Sequence, residues 1–115
     1  MEIAILSYRR KLRDELEAQL RICLGDCAQH RIKQFSLGYA PPDNTAAAFI
    51  IIDGERALHI ASSAANLGGK FPVAMAATHP RYALSGTRLN VKHYILYPLE
   101  PKNIRETLLQ MGVPI

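Results

Sequence analysis

Residues 47–54 read AAFIIIDG, and the apolar side chains Ala48, Phe49, Ile50, Ile51 and Ile52 follow one another without the alternation of a strand that is wet on one face. A run of this kind, closed by an acid and a glycine, predicts a central parallel strand covered on both sides. In open α/β sheets, ligands and chemistry lie at the carboxyl ends of the strands. Asp53 therefore stands where a reactive group of such a fold is placed.

C-terminal to this stretch, Glu55 to Leu67 is rich in alanine and offers Ala57, Leu58, Ala61, Ala64, Ala65 and Leu67 for a buried helical stripe, ended by Gly68 and Gly69. Phe71 to Ala77 is a second apolar run without alternation and is expected as the next strand. Pro80 suits the first position of a helix reaching about Arg88, capped by Thr78 or His79 and shortened or frayed by Gly86. Val91 to Tyr97 is expected as a further strand closed by Pro98. Pro101 then opens a last helix, with Ile104, Leu108 and Met111 on one face and Leu109 beside them, up to Gly112.

N-terminal to the stretch, Gly38, Pro41, Pro42 and Asn44 rule out an ordinary helix across 37–44 and leave room only for a short helical turn from Asp43 to Ala47. His30 to Ser36, apolar only at Ile32 and Phe35, reads as a weaker strand towards one side of the sheet. From Arg9 to Leu24 the residues Leu12, Leu16, Leu20, Cys23 and Leu24 recur at helical spacing among charged neighbours. Gly25 and Asp26 end this helix, and Ser7 is its expected N-cap. Ile3 to Leu6 reads as a first buried strand. Strands alternating with helices in this way predict a three-layer α/β sandwich around a mostly parallel sheet.

The chain has 115 residues, 49% hydrophobic and 21% charged, which is one domain spanning 1–115 of ordinary globular composition. Such a chain buries roughly two-thirds of its unfolded surface and needs neither disulfide nor metal to hold it. Its longest apolar run is too short for a bilayer, and MEIAILSYRR lacks the basic region and cleavage site of a secretion signal. A cytoplasmic location with no membrane partner is expected. Cys23 and Cys27 lie four apart without a second pair, which excludes a zinc site and a redox pair and leaves them as apolar filler. His30, His59, His79 and His93 show no ligand spacing.

The net charge of +4 has one basic cluster, Arg9, Arg10, Lys11 and Arg13, followed on the same helix by Asp14, Glu15 and Glu17. That is a solvated face before it is a phosphate-binding patch. Direct nucleic-acid binding has only this charge in its favour, without an aromatic platform. A flavin or phosphate enzyme would need glycine in the first strand-to-helix turn, and a phosphocysteine carrier would need cysteine there. The turn reads SYRRK.

An acid at the end of the third strand, THPRYAL after the fourth and YILYPLEPKNIRETL through and beyond the fifth resemble the receiver domain of two-component response regulators. The resemblance is closest to receivers that precede LytTR-type DNA-binding domains and runs over essentially the whole chain. It implies a flavodoxin-like, doubly wound, five-stranded parallel sheet of order 2-1-3-4-5. An active member of this family carries an acidic pair after strand one for Mg²⁺, a phosphoacceptor Asp after strand three, a Thr or Ser after strand four and a Lys after strand five. Metal and lysine neutralise the transferring phosphoryl group, and the hydroxyl senses it.

Asp53 matches the phosphoacceptor. Ser7 and Tyr8, followed by Arg9 and Arg10, stand where the acidic pair belongs. Aligning on Tyr82, Ala83 and Leu84 puts Ala77 at the hydroxyl position with Thr78 one residue late, and Tyr97 precedes Pro98 where the family has Lys. The resemblance also implies a cis bond between Tyr97 and Pro98. No metal and no cofactor are expected, with Mg²⁺ entering only if the receiver is active.

The expected function is that of a pseudo-receiver: a signal-transduction module, not an enzyme, acting through a protein partner or a second copy. The resemblance assigns pairing to the face of the fourth helix, fifth strand and fifth helix, here Arg81, Tyr82, Arg88, Tyr94, Lys102 and Arg105. The alternative is a working receiver phosphorylated on Asp53 by a histidine kinase and controlling a DNA-binding output domain absent from this chain. A lone carboxylate cannot organise that reaction, so Asp53 is first expected as an N-cap of the following helix. If Arg9 or Arg10 reaches it, a fixed positive charge replaces the metal. Tyr97 is expected to pack at the sheet edge.

Overall fold

The structure, a computed structural model, describes residues 1–25, 30–39, 41–62, 71–82, 91 and 93–113. Its strands are β1 (Glu2–Ser7), β2 (Arg31–Ser36), β3 (Thr45–Ile52), β4 (Val73–Ala77) and β5 (His93–Leu96), and its helices are α1 (Arg10–Leu24), α2 (Glu55–Ser62) and α3 (Pro101–Gln110). All pairings are parallel and the sheet order is β2-β1-β3-β4-β5. This is the doubly wound flavodoxin-like arrangement that the sequence implies.

Strand β3 divides its side chains between two cores, as a parallel strand with both faces covered must. Ala47, Phe49 and Ile51 join Leu16, Leu20, Ile104 and Leu108 on the face covered by α1 and α3. Ala48, Ile50 and Ile52 join Ala57, Ala61, Met75 and Tyr82 on the opposite face. Cys23 is half-buried against the first core, and its thiol donates to the Pro101 carbonyl at 3.2 Å. Burial pushes that thiol's pKa up, with Arg105 opposing the shift.

Several boundaries differ from expectation. The anticipated helical turn at Asp43 to Ala47 is absent: the Thr45 N–H donates to the Pro42 carbonyl at 3.0 Å, closing a turn, and β3 starts at Thr45. Strand β4 starts at Val73 because Pro72 has no N–H to give the ladder, although Phe71 stays buried. The N-cap of α1 is Arg9 rather than Ser7, whose hydroxyl instead accepts the Arg9 N–H at 3.1 Å. After Thr78, whose N–H holds the Ile52 carbonyl, the chain makes a 3₁₀ turn, Pro80–Tyr82. His79 Nδ1 caps it by accepting the Arg81 N–H at 3.1 Å.

The expected continuation of that turn through Ala83, Leu84 and Gly86 to Arg88 lies outside the described residues. So do Asp26, Cys27 and the helix end at Gly68 and Gly69. No helix among the described residues is long and apolar enough to cross a membrane.

Candidate functional site

The carboxyl ends of β1, β3, β4 and β5 bring together four short turns, and each carries anticipated site residues. Ser7, the last residue of β1, is fully buried. Its carbonyl accepts from Arg13 Nη1 at 2.7 Å and from the Leu37 N–H at 3.2 Å, so the residue is spent on fixing α1 and β2 to the sheet. Tyr8 follows, 43% exposed. Arg9 then turns its guanidinium to the end of β3, where Nε lies 3.0 Å from Asp53 Oδ2. Arg10 instead faces Asp14 at 3.9 Å on its own helix. Of the two arginines, Arg9 is the one that supplies a fixed charge to Asp53.

The Asp53 side chain is 12% exposed and that of Arg9 74%, so the carboxylate is held inside while its partner reaches in from solvent. Helix α2 begins at Glu55, and the Gly54 carbonyl accepts the Leu58 N–H at 3.1 Å. Gly54, not Asp53, thus occupies the position before the helix, and the capping role expected of Asp53 gives way to the ion pair. At the end of β4, Ala77 is fully buried and offers no hydroxyl. Thr78 is exposed, and its Oγ1 lies 3.5 Å from the Ile52 carbonyl, a long bond to the residue before Asp53.

At the end of β5 the Tyr97 N–H donates to the Ala77 carbonyl at 2.9 Å, and the Tyr97–Pro98 bond is cis as expected. The Tyr97 ring packs against the core shared with α1 and α3. Its hydroxyl is buried without a hydrogen-bond partner among the described residues. Burial, with the Glu15 and Asp53 carboxylates adding to it, pushes its pKa up to about 12. No ammonium stands at this position.

A receiver-type Mg²⁺ site needs several carboxylate oxygens converging on one point. The residues around Asp53 are a buried serine, a tyrosine and an arginine, and no cluster of three acids, histidines or cysteines occurs among the described residues. The donor set does not fit the cation.

The site also contains residues that sequence reasoning passed over. Arg56 stacks its guanidinium 5.2 Å from the centre of the Tyr8 ring. Tyr8, Arg9, Asp53, Gly54, Arg56 and Ala57 together line an open cavity of about 220 Å³. The available signal was the position of Arg56, in the first turn of the helix that follows Asp53.

Of the residues that the resemblance assigns to a pairing face, several are open to solvent. Tyr94 is 51% exposed, Lys102 and Arg105 lie open on α3, and Arg81 is exposed. Tyr82 does not belong to that surface: the 3₁₀ turn folds its ring into the second core at 3% exposure, leaving its hydroxyl bonded to Arg81 Nη2 at 2.8 Å. Arg88 lies outside the described residues.

Among solved structures, the chain resembles a CheY-like response regulator protein from Mesorhizobium loti, at 15% identity and a TM-score of 0.72 over 96% of this chain and 97% of that one. A response regulator receiver protein from Pseudoalteromonas atlantica matches at 15% identity and a TM-score of 0.72 over 97% of both chains. The chain has the receiver fold. A putative pilus assembly protein from Burkholderia thailandensis shares this fold at 16% identity and a TM-score of 0.69 over 99% of both chains. No protein-family model and no curated protein matches the sequence.

Proposed function

We propose that this receiver-fold chain is a signalling module that works without phosphoryl transfer, as a pseudo-receiver that acts by protein contact. The observation that carries the reading is the Arg9–Asp53 ion pair at 3.0 Å. The position that would bring acidic metal ligands brings a guanidinium instead, and it neutralises the one carboxylate that could accept a phosphoryl group. The partner is another protein or a second copy of the chain. The contact face is formed by Arg81, Tyr94, Lys102 and Arg105, which are exposed. That a putative pilus assembly protein shares the fold supports a role not confined to proteins described as response regulators.

A second reading keeps Asp53 as a phosphoacceptor for a histidine kinase, with a LytTR-type DNA-binding domain as output. Thr78 favours it, because its hydroxyl stands beside the last residue of β3. Titration with beryllofluoride and Mg²⁺, followed by amide NMR, separates the two. The pseudo-receiver reading expects an unchanged spectrum. Shifts centred on Asp53 and Thr78 would overturn it in favour of the phosphorylated receiver.

A further inference from the structure

Tyr8 lines two cavities at once. One, of about 220 Å³, is shared with Arg9, Asp53, Gly54, Arg56 and Ala57, and the other, of about 270 Å³, with Ser36, Leu37 and Ile60. Both lie at the carboxyl ends of β1, β2 and β3, where a sheet of order 2-1-3-4-5 reverses its winding. Ligands of doubly wound folds occupy that crevice. Each lies just under the range of small-molecule clefts, roughly 300–1,000 Å³, and Tyr8 borders both.

The chemistry differs from one cavity to the other. The first is lined by two arginines and one acid: Arg9 pairs with Asp53 and Arg56 lies over the Tyr8 ring, leaving positive charge in excess. The nearby acid Glu55 stands 3.8 Å from Arg81. The second cavity presents the apolar side chains of Leu37 and Ile60 with the small hydroxyl residue Ser36. Tyr8, an exposed residue that borders both cavities, has its ring stacked with Arg56. Guanidinium pairs bind phosphate through forked hydrogen bonds, and an aromatic ring takes a flat partner against its face.

We propose that this cleft binds a small aromatic phosphate, with the phosphate on Arg9 and Arg56 and the flat portion against Tyr8 towards Leu37 and Ile60. The proposal rests on the metal-independent reading above, because it uses the guanidinium that holds Asp53. It adds a ligand to that reading: occupancy of the cleft places a second anion beside Arg9 and so weakens its hold on Asp53.

The test is calorimetric titration and amide NMR of the full chain in EDTA, with phenyl phosphate and inorganic phosphate as probes. Phenyl phosphate is expected to bind at least tenfold more tightly than inorganic phosphate and to shift the amides of Tyr8, Gly54, Arg56, Leu37 and Ile60. Arg56→Ala is expected to weaken phenyl phosphate at least tenfold, and Tyr8→Ala to bring its affinity down to that of inorganic phosphate. Both side chains are exposed, and an unchanged circular dichroism spectrum checks that each variant is folded. Absence of saturable binding, equal affinity for the two phosphates, shifts confined to another part of the chain, or undiminished binding by Arg56→Ala would each overturn the proposal. EDTA removes Mg²⁺ from these measurements, so their failure is distinct from a response to beryllofluoride and Mg²⁺, which bears on the signalling reading alone.

Discussion

Arg9 and Asp53 form an ion pair, Nε to Oδ2 at 3.0 Å, that joins the turn after β1 to the end of the central strand. Its value lies between two regimes. Exposed pairs contribute about 0–1 kcal/mol, whereas stranding a buried charge costs about 3–5 kcal/mol. With the carboxylate 12% exposed and the guanidinium 74% exposed, Arg9→Ala should destabilise the chain by about 1–2 kcal/mol. Asp53→Asn should cost less, because an amide tolerates the loss of its cation. A double-mutant cycle measured by urea unfolding should return a coupling of about 1 kcal/mol. A coupling indistinguishable from zero would show that the two side chains do not hold each other in solution.

The central place of β3 was legible because only a strand buried on both faces carries Phe49, Ile50, Ile51 and Ile52 in succession, and the two cores take these residues alternately, whereas the sheet order came with the receiver resemblance. Start points were less legible. Thr45 and Val73 begin their strands according to which backbone groups can join a ladder, a matter of Pro42 and Pro72 rather than of hydropathy. The fate of Tyr82 was also hidden, since a tyrosine after a proline reads equally as surface or core until the turn that directs it is known. At the site, the departure from the acidic pair and lysine that the resemblance implies was plain from Ser7, Tyr8 and Tyr97. The stacking of Arg56 on Tyr8 was not, because it joins residues that only the parallel pairing of β1 with β3 brings near.

Helix α3 ends in a Schellman arrangement around Gly112, which has φ of +85°. The Val113 N–H donates to the Leu108 carbonyl at 2.9 Å and the Gly112 N–H to the Leu109 carbonyl at 3.1 Å, while Val113 is buried at 3% exposure. A Cβ at Gly112 would meet no atom within 4 Å, so its cost is conformational rather than steric. Gly112→Ala should destabilise by about 1 kcal/mol and Gly112→Asn by less, since asparagine tolerates this region better. Thermal unfolding of the three proteins checks the order; equal stability of the alanine variant would contradict it.

Two isoleucines provide an internal contrast. Ile51 is fully buried in the core beneath α1 and α3, whereas Ile22 is 66% exposed on α1. Ile51→Val should cost about 1 kcal/mol and Ile51→Ala about 3–4 kcal/mol, the larger loss combining transfer and cavity terms. Ile22→Ala should stay within about 0.5 kcal/mol of the parent. Chemical denaturation measures all three, and a comparable loss at Ile22 would place that residue in a contact the monomer does not show.

Tyr97 couples stability to alkaline pH. Its hydroxyl is buried without a partner among the described residues, and burial, reinforced by Glu15 and Asp53, raises its pKa to about 12. The unfolded chain ionises a tyrosine near pH 10. Below that pH both states hold the proton and this residue adds no pH dependence. Between about 10 and 12 the unfolded state alone releases it, so stability falls as pH rises through that window. Two units correspond to about 2.7 kcal/mol, and partial shielding of the ring reduces the expected loss to about 1–2 kcal/mol. Tyr97→Phe removes both the ionisation and the stranded hydroxyl, so it should raise stability by about 1 kcal/mol at neutral pH. Because other tyrosines titrate in the same range, the informative quantity is the difference between parent and variant, followed by urea unfolding from pH 8 to 12. The gap should widen steadily above pH 10, in favour of the phenylalanine protein. Parallel profiles would mean that the Tyr97 hydroxyl meets water in the folded state.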